Sequence, residues 1–249
     1  MSPMDCAESQ LRFDLALIHR YMADKDWNEG VVNHLTAMLP SSANQCDNQF
    51  LALPYGLHWS EVVSSDFLVV DLDGTVISGE GDIEPSNLFI HGAIHRHIPR
   101  ARAILHSHQP NITALTLLED QSVLMTSQHA LRFAGRIAYL DVYGDPGSAE
   151  IGEVIVDSLK TKDVLMCANH GVIIARPSLW DAFDDLYFLD RACEVQLLAM
   201  NTGSKLRVID DTTATSFGEQ IIKWSKDEGE KHFIALRRLY LKKYPELVE

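Results

Sequence analysis

Residues 67–77 read Phe-Leu-Val-Val-Asp-Leu-Asp-Gly-Thr-Val-Ile. An apolar run enters, Asp73-Gly74 forms the turn, and Val76 and Ile77 return, which is a β-hairpin. Strands joined by so short a turn are antiparallel, because parallel neighbours need a crossover of a dozen or more residues. Working outward, two more apolar strands, Asp163–Met166 and Val172–Ala175, flank Asn169-His170-Gly171. Short strands are also expected at Thr36–Leu39, Phe50–Pro54, Ala103–His106 and Arg136–Tyr143. The last ends at the turn cluster Gly144-Asp145-Pro146-Gly147. Helical spacing marks Leu11–Met22, Pro85–His97, Pro110–Leu118, Ala149–Leu159 and Pro177–Met200, and again Phe217–Tyr244, where a break is expected near Gly229. Helices interspersed with hairpin-joined strands imply an α/β fold with a mixed or mainly antiparallel sheet.

The 249 residues suit one or two domains. Lys and Arg number 21 against 35 Asp and Glu, a formal charge of −14. Nine basic and eight acidic residues follow Ser204, so the negative charge belongs to residues 1–204. A body this acidic repels phosphate backbones and anionic lipid, so neither nucleic acid nor a membrane surface is an expected partner. The basic run Arg237, Arg238, Lys242 and Lys243 reads as a solvated helix end. No secretory signal is evident over Met1–Ala23, and no stretch has the roughly 20 apolar residues of a membrane span. Cys6, Cys46, Cys167 and Cys193 show no C-x-x-C spacing, which favours reduced thiols in a cytoplasmic protein, with Cys167 and Cys193 in the core. No G-x-G-x-x-G follows a strand and no Walker loop occurs, so nucleotide cofactors have no support.

Eleven histidines are present. His106 and His108 end an apolar strand, and residues i and i+2 of a strand face the same way. Two imidazoles so placed can reach one metal ion at about 2.0–2.1 Å if a third ligand faces them. His170, in the turn between two strands, is the candidate third. Gly171 beside it permits an unusual backbone and leaves room for the ring.

These features resemble the class II aldolase/adducin family over roughly residues 8–202. The resemblance rests on Ile104-Leu-His-Ser-His108, Asn169-His-Gly-Val172, Ile90-His-Gly-Ala-Ile-His95, Tyr55-Gly-Leu-His-Trp-Ser-Glu61 and Leu189-Asp-Arg-Ala-Cys-Glu194, in order. It implies a three-layer α/β/α sandwich around a mostly antiparallel sheet, with residues 1–202 as the family domain and 203–249 as its helical tail. It also implies a divalent metal on His106, His108 and His170, most often Zn2+, with Fe2+ and Mn2+ as alternatives because imidazole suits several first-row ions. A homotetramer with sites at subunit contacts is the usual assembly.

The chain departs from the family's sugar-phosphate aldolases in two places. The resemblance puts an acid/base glutamate four residues before His91, where this chain has Asn87, a side chain that exchanges no proton at neutral pH. Glu84, three residues earlier, is a substitute, although a helix-start carboxylate is also expected there. The segment matching the phosphate cradle, Val32-Asn-His-Leu-Thr-Ala-Met38, lacks its basic residue, and the loop 55–61 is apolar and aromatic. A phosphorylated substrate therefore loses support.

Asn33, His34, His58, Asn87 and His129 are expected substrate contacts, and Tyr143 is a second candidate acid. Glu61 is expected to anchor its loop, His91 and His95 to form a satisfied pair, and His19 and His97 to lie at the surface. Trp224, Tyr240 and Tyr244 read as packing or interface residues. The expected activity is that of a metal-dependent lyase. It would break a carbon–carbon bond, by retro-aldol reaction or decarboxylation, in a small hydroxy-carbonyl or hydroxy-carboxylate compound. The competing expectations are a non-catalytic adducin-like scaffold, favoured by Asn87, and an Fe(II)-dependent oxygenase. A closed structural metal site would need a fourth protein ligand, and the sequence offers no convincing one.

Overall fold

The computed structural model describes residues 3–40, 48–145 and 147–249. Cys46 and Pro146 lie outside the described residues. The strands are β1 (His34–Met38), β2 (Gln49–Ala52), β3 (Leu68–Asp71), β4 (Val76–Ser78), β5 (Ala103–Ser107), β6 (Ile137–Leu140), β7 (Val164–Cys167) and β8 (Gly171–Arg176). They form one sheet in the order β4-β3-β2-β1-β5-β8-β7-β6. Every neighbouring pair is antiparallel except β6 and β7. The hairpin of residues 67–77 forms as read: Gly74 takes φ +88°, open to glycine at no steric cost.

Alternation along the central strands builds two cores. Ala103 and Leu105 of β5, Val164 and Met166 of β7, and Val172 and Ile174 of β8 pack into the larger one. That layer is made by α1 (Pro3–Asp24), α4 (Pro110–Thr116) and α7 (Leu179–Met200). The intervening Ile104, Leu165, Ile173 and Ala175 face the opposite way. There they meet Ile90 and Ile94 from the helix of residues 85–97 and Ile151 and Ile155 from α6 (Ala149–Leu159). Each such aliphatic side chain contributes about 1.5–3 kcal/mol on burial. The result is the expected α/β/α sandwich.

The helix over 85–97 runs as α2 (Pro85–Asn87), a π turn (Leu88–Gly92) and α3 (Ala93–His97). Glu84 caps it, accepting from the Asn87 backbone N–H at 3.1 Å. A short α5 (Gln128–Leu131) precedes β6 and is capped by Ser127.

Two expectations are corrected. The C-terminal helix α8 (Asp211–Lys243) is continuous through Gly229. A Cβ there would stand 3.0 Å from the Asp184 carboxylate, so this glycine permits close packing of α8 on α7 and does not mark a break. His19 is not at the surface. It is fully buried on the inner face of α1, edge-on to Trp59 with ring centroids 4.9 Å apart.

The basic run of α8 is only partly solvated. Arg237 donates to Asp14 at 2.7 Å, and Lys243, Tyr240 and Tyr244 all donate to Asp24, which ties α8 to α1. Cys167 and Cys193 are buried free thiols. Among the described residues no helix is long and apolar enough to cross a membrane.

Candidate metal centre

His106 is on β5, His108 is two residues beyond it, and His170 comes from the β7–β8 turn. The turn is set by Asn169, at φ +58°, whose N–H donates to the Thr116 carbonyl at 3.0 Å. The unusual backbone expected of Gly171 therefore belongs to Asn169. Gly171 supplies space instead: a Cβ there would lie 2.6 Å from both His108 Cδ2 and the Ser107 carbonyl oxygen.

One imidazole nitrogen from each of His106, His108 and His170 lies within 4.8 Å of those of the other two. The Nδ1 of His106 faces the Val172 carbonyl at 3.0 Å, and that of His108 faces Glu29 Oε2 at 2.7 Å. A carbonyl only accepts, so His106 Nδ1 carries the proton; a carboxylate imposes the same tautomer on His108. In the neutral rings both Nε2 atoms are then bare lone pairs, and they stand 3.2 Å apart. Two lone pairs so close repel unless a shared proton or a metal cation lies between them. Their separation is that of two ligands each about 2.0–2.1 Å from one ion. The donor set thus fits a divalent metal, and Glu29 would be the outer carboxylate that orients His108 as a ligand.

Burial lowers the affinity of two of these rings for protons. Desolvation, with adjacent imidazoles, pushes His106 well below its ordinary value and His170 down to about 4. These two candidate ligands are thereby kept neutral, the form a metal requires.

His34 lies opposite His106 in the β1–β5 register, ring centroids 5.1 Å apart. It is buried, and its ring nitrogens contact His91 Nε2 at 3.0 Å and Ser86 Oγ at 2.9 Å. Desolvation, and after it the neighbouring imidazoles of His108 and His170, push it down to about 3. Ser86 in turn bonds Glu84, whose carboxylate oxygen is 3.8 Å from His34 Nε2. Thr36, two residues along β1 and on the same face, bridges His91 Nδ1 and His95 Nε2, each at 2.8 Å. His91 and His95 are indeed a satisfied, buried pair.

Asn33, at φ +73°, and Asn87 each keep a buried side-chain carbonyl oxygen with no partner among the described residues. Tyr143 is exposed, its ring 6.1 Å from that of His170. His58 is committed to Ser60 within its loop and to Asn28 outside it, and Glu61 accepts from the His58 N–H at 3.0 Å, anchoring the loop as expected. His129 is not brought to the triad within this chain. It lines a separate cavity of about 360 Å³ with Asp184, Tyr187, Phe188, Arg191 and His232. The sequence reading missed Glu29, Thr36 and Ser86. Only Thr36 had a usable signal, its i+2 relation to His34.

The family model for the class II aldolase and adducin N-terminal domain matches residues 13–197. The chain belongs to the class II aldolase/adducin family. A class 2 aldolase-like protein of Caulobacter vibrioides is 32% identical over 79% of this chain and 75% of its own. Rat alpha-adducin is 29% identical over 94% of this chain, which spans a third of the adducin. A 3-oxo-tetronate 4-phosphate decarboxylase of Haemophilus influenzae is 25% identical over 84% of this chain and 94% of its own. Among solved structures, an aldolase II superfamily protein from Pseudomonas syringae superposes with a TM-score of 0.88 at 28% identity, covering 100% of this chain and 98% of that one. An L-fuculose 1-phosphate aldolase from Glaciozyma antarctica gives 0.84 at 25%, covering 98% and 95%. The class II aldolase/adducin family thus includes lyases.

Proposed function

We propose that the protein is a metal-dependent lyase that breaks a carbon–carbon bond next to a carbonyl, by retro-aldol reaction or decarboxylation. The substrate is a small, unphosphorylated hydroxy-carbonyl or hydroxy-carboxylate compound. The observation that carries this reading is the pair of bare Nε2 atoms of His106 and His108, 3.2 Å apart with both Nδ1 protons committed elsewhere. With His170 they would hold Zn2+, or Fe2+ or Mn2+. When bound, such an ion supplies Lewis-acid stabilisation of the negative charge that develops on substrate oxygens.

The remaining roles belong to the chain itself. The unpartnered carbonyl oxygens of Asn33 and Asn87 would accept hydrogen bonds from substrate hydroxyls. Glu84, linked to the centre through Ser86 and His34, would move the proton that Asn87 does not. Tyr143 would stand at the rim. Val32–Met38 contains no Lys or Arg, which supports an unphosphorylated substrate. Val142, which lines a small cavity with Tyr143 and His170, is exposed, as are Leu117 and Leu118, which supports assembly with further copies, a homotetramer in the cytoplasm being our reading.

The test is metal content after purification without chelator, for wild type and His106→Ala. Near-stoichiometric metal in the first, lost in a folded second, is expected. A metal-free wild type that behaves like the variant would sink the proposal.

A further inference from the structure

Glu29 holds the Nδ1 of His108, yet little holds Glu29. Its carboxylate is 53% exposed, and among the described residues it bonds no side chain but His108. The chain from Asp26 to Asn33 is irregular, with Asp26, Gly30 and Asn33 all at positive φ. One backbone bond, from Val32 N–H to the Glu29 carbonyl at 3.1 Å, closes a turn within it. A free turn samples many directions, so an exposed carboxylate on one keeps its aim only if a neighbouring side chain is tied to something rigid.

The tie is His58. Its Nε2 stands 3.1 Å from the amide of Asn28, the residue directly before Glu29. On the other side of the ring, the Ser60 N–H donates to His58 Nδ1 at 3.2 Å, and the Ser60 hydroxyl lies 2.7 Å from the same atom. A backbone N–H only donates, so Nδ1 accepts and Nε2 of the neutral ring is the donor. The Asn28 amide, whose oxygen and nitrogen exchange places by a half-turn, receives that bond on oxygen. The loop carrying His58 is itself fixed. Trp59 is buried in the core, edge-on to His19. Arg20, a buried side chain of α1, donates to the Val62 carbonyl at 2.8 Å and to the Ser60 carbonyl. Both ring nitrogens of His58 are thus in use, and neither is left for a substrate.

We infer that His58 and Asn28 are positioning residues for the metal centre. They fix the backbone at Glu29, so that its carboxylate stays on His108 Nδ1 and His108 Nε2 stays turned toward His106. The inference rests on the metal-dependent reading of the site and deepens it. It gives His58 a role other than the substrate contact expected from the sequence. The line of contact runs His58, Asn28, Glu29, His108, and each link is a hydrogen bond except the peptide between Asn28 and Glu29. Loop 55–61 thereby serves the group that aims a ligand.

A double-mutant cycle in zinc affinity tests this, read by competition against a chromophoric chelator at pH 7. His58→Ala loosens Glu29 without removing it, so it should weaken zinc binding by about three- to tenfold, the lower part of what an outer carboxylate is worth. In the Glu29→Ala background the same substitution should change affinity by less than about twofold, because the residue it acts through is gone. His58→Gln, whose amide reaches the Nε2 position, should restore most of the affinity. His58→Asn, whose amide ends near the Nδ1 position, should not. A merely structural His58 would weaken both backgrounds by the same factor, and that result, or unchanged affinity in His58→Ala, would overturn the inference. Should His58→Ala not fold, Asn28→Ala removes the same bond from its other side. A second readout needs no metal. The His108 Nδ1 proton, assigned by its loss in His108→Gln, should give an imidazole N–H signal in the NMR spectrum of the metal-free protein and broaden in His58→Ala. A wild type that binds no zinc but shows this signal, lost in His58→Ala, defeats the lyase reading and leaves the positioning intact. A wild type that binds zinc, with both readouts unchanged in His58→Ala, defeats the positioning alone.

Discussion

Replacing Glu29 by Gln perturbs the centre without touching a proposed ligand. Glu29 Oε2 lies 2.7 Å from His108 Nδ1 and holds that ring with Nε2 turned toward His106. The Gln oxygen can still accept the Nδ1 proton, so the tautomer survives and only the negative charge is lost. Outer carboxylates on ligating histidines are worth about 10–100-fold in metal affinity, or roughly 1.4–2.7 kcal/mol. The Glu29 side chain is 53% exposed, so solvent screens much of its field and the lower bound applies. We expect zinc affinity to fall about tenfold in Glu29→Gln and further in Glu29→Ala, where the ring is also free to rotate. Competition titration against a chromophoric chelator at pH 7 measures both, and the thermal midpoint of the metal-free protein should stay unchanged. Zinc binding by Glu29→Ala within twofold of wild type would refute the argument that Glu29 orients His108.

Three further outcomes follow from the same geometry. Gly171→Ala would place a methyl group 2.6 Å from the Ser107 carbonyl oxygen and from His108 Cδ2. It should cost about 1–3 kcal/mol, a fall in Tm of roughly 2–12 °C by calorimetry, together with loss of metal. Full burial pushes His19 down to about 4 from 6.5, so its neutral form stabilises the fold above pH 6.5. That contribution, roughly 3 kcal/mol, is lost as pH falls from 6.5 towards 4. Urea titrations of His19→Phe should show a correspondingly shallower decline over that window, and an unchanged slope would contradict it. Asp24→Ala removes the acceptor of Tyr240, Lys243 and Tyr244, each at 2.6–2.7 Å, and should raise amide hydrogen exchange in the last turns of α8 while leaving the centre of α7 protected.

The parts of this molecule visible in the sequence are those whose signal is local. Asp73-Gly74 between two apolar runs states its own hairpin, and His106 and His108 share a strand face by period alone. The reading failed where meaning depends on a distant partner. His19 looks polar along the chain, and only the arrival of Trp59 and Phe67 over α1 shows that it is enclosed. Gly229 carries the ordinary signature of a helix break. Its actual role is set by Asp184, 45 residues away in the sequence. Glu29 sits in an irregular segment with no periodicity, and its carboxylate reaches His108 across 79 positions. The π turn at Leu88–Gly92 likewise has no marker in a stretch that reads as ordinary helix.

The centre also bears on the choice between an enzyme and an adducin-like scaffold, which Asn87 and the likeness to rat alpha-adducin leave open. Burying His34, His91, His95 and His106 forces each ring to find partners or stand unsatisfied. His34, His91 and His95 are satisfied in one file that ends on a backbone carbonyl. His106, by contrast, turns a bare lone pair toward that of His108. A scaffold would be more stable with apolar side chains in these places, because replacing both members of a buried polar pair with well-packed hydrophobic groups is often neutral or stabilising. A metal cation between these nitrogens would complete the arrangement, which supports the proposed enzyme over a scaffold. On the proposed reading, the acid/base role that Asn87 does not fill would pass to Glu84, three residues earlier at the cap of the same helix, whose carboxylate accepts the Asn87 N–H at 3.1 Å.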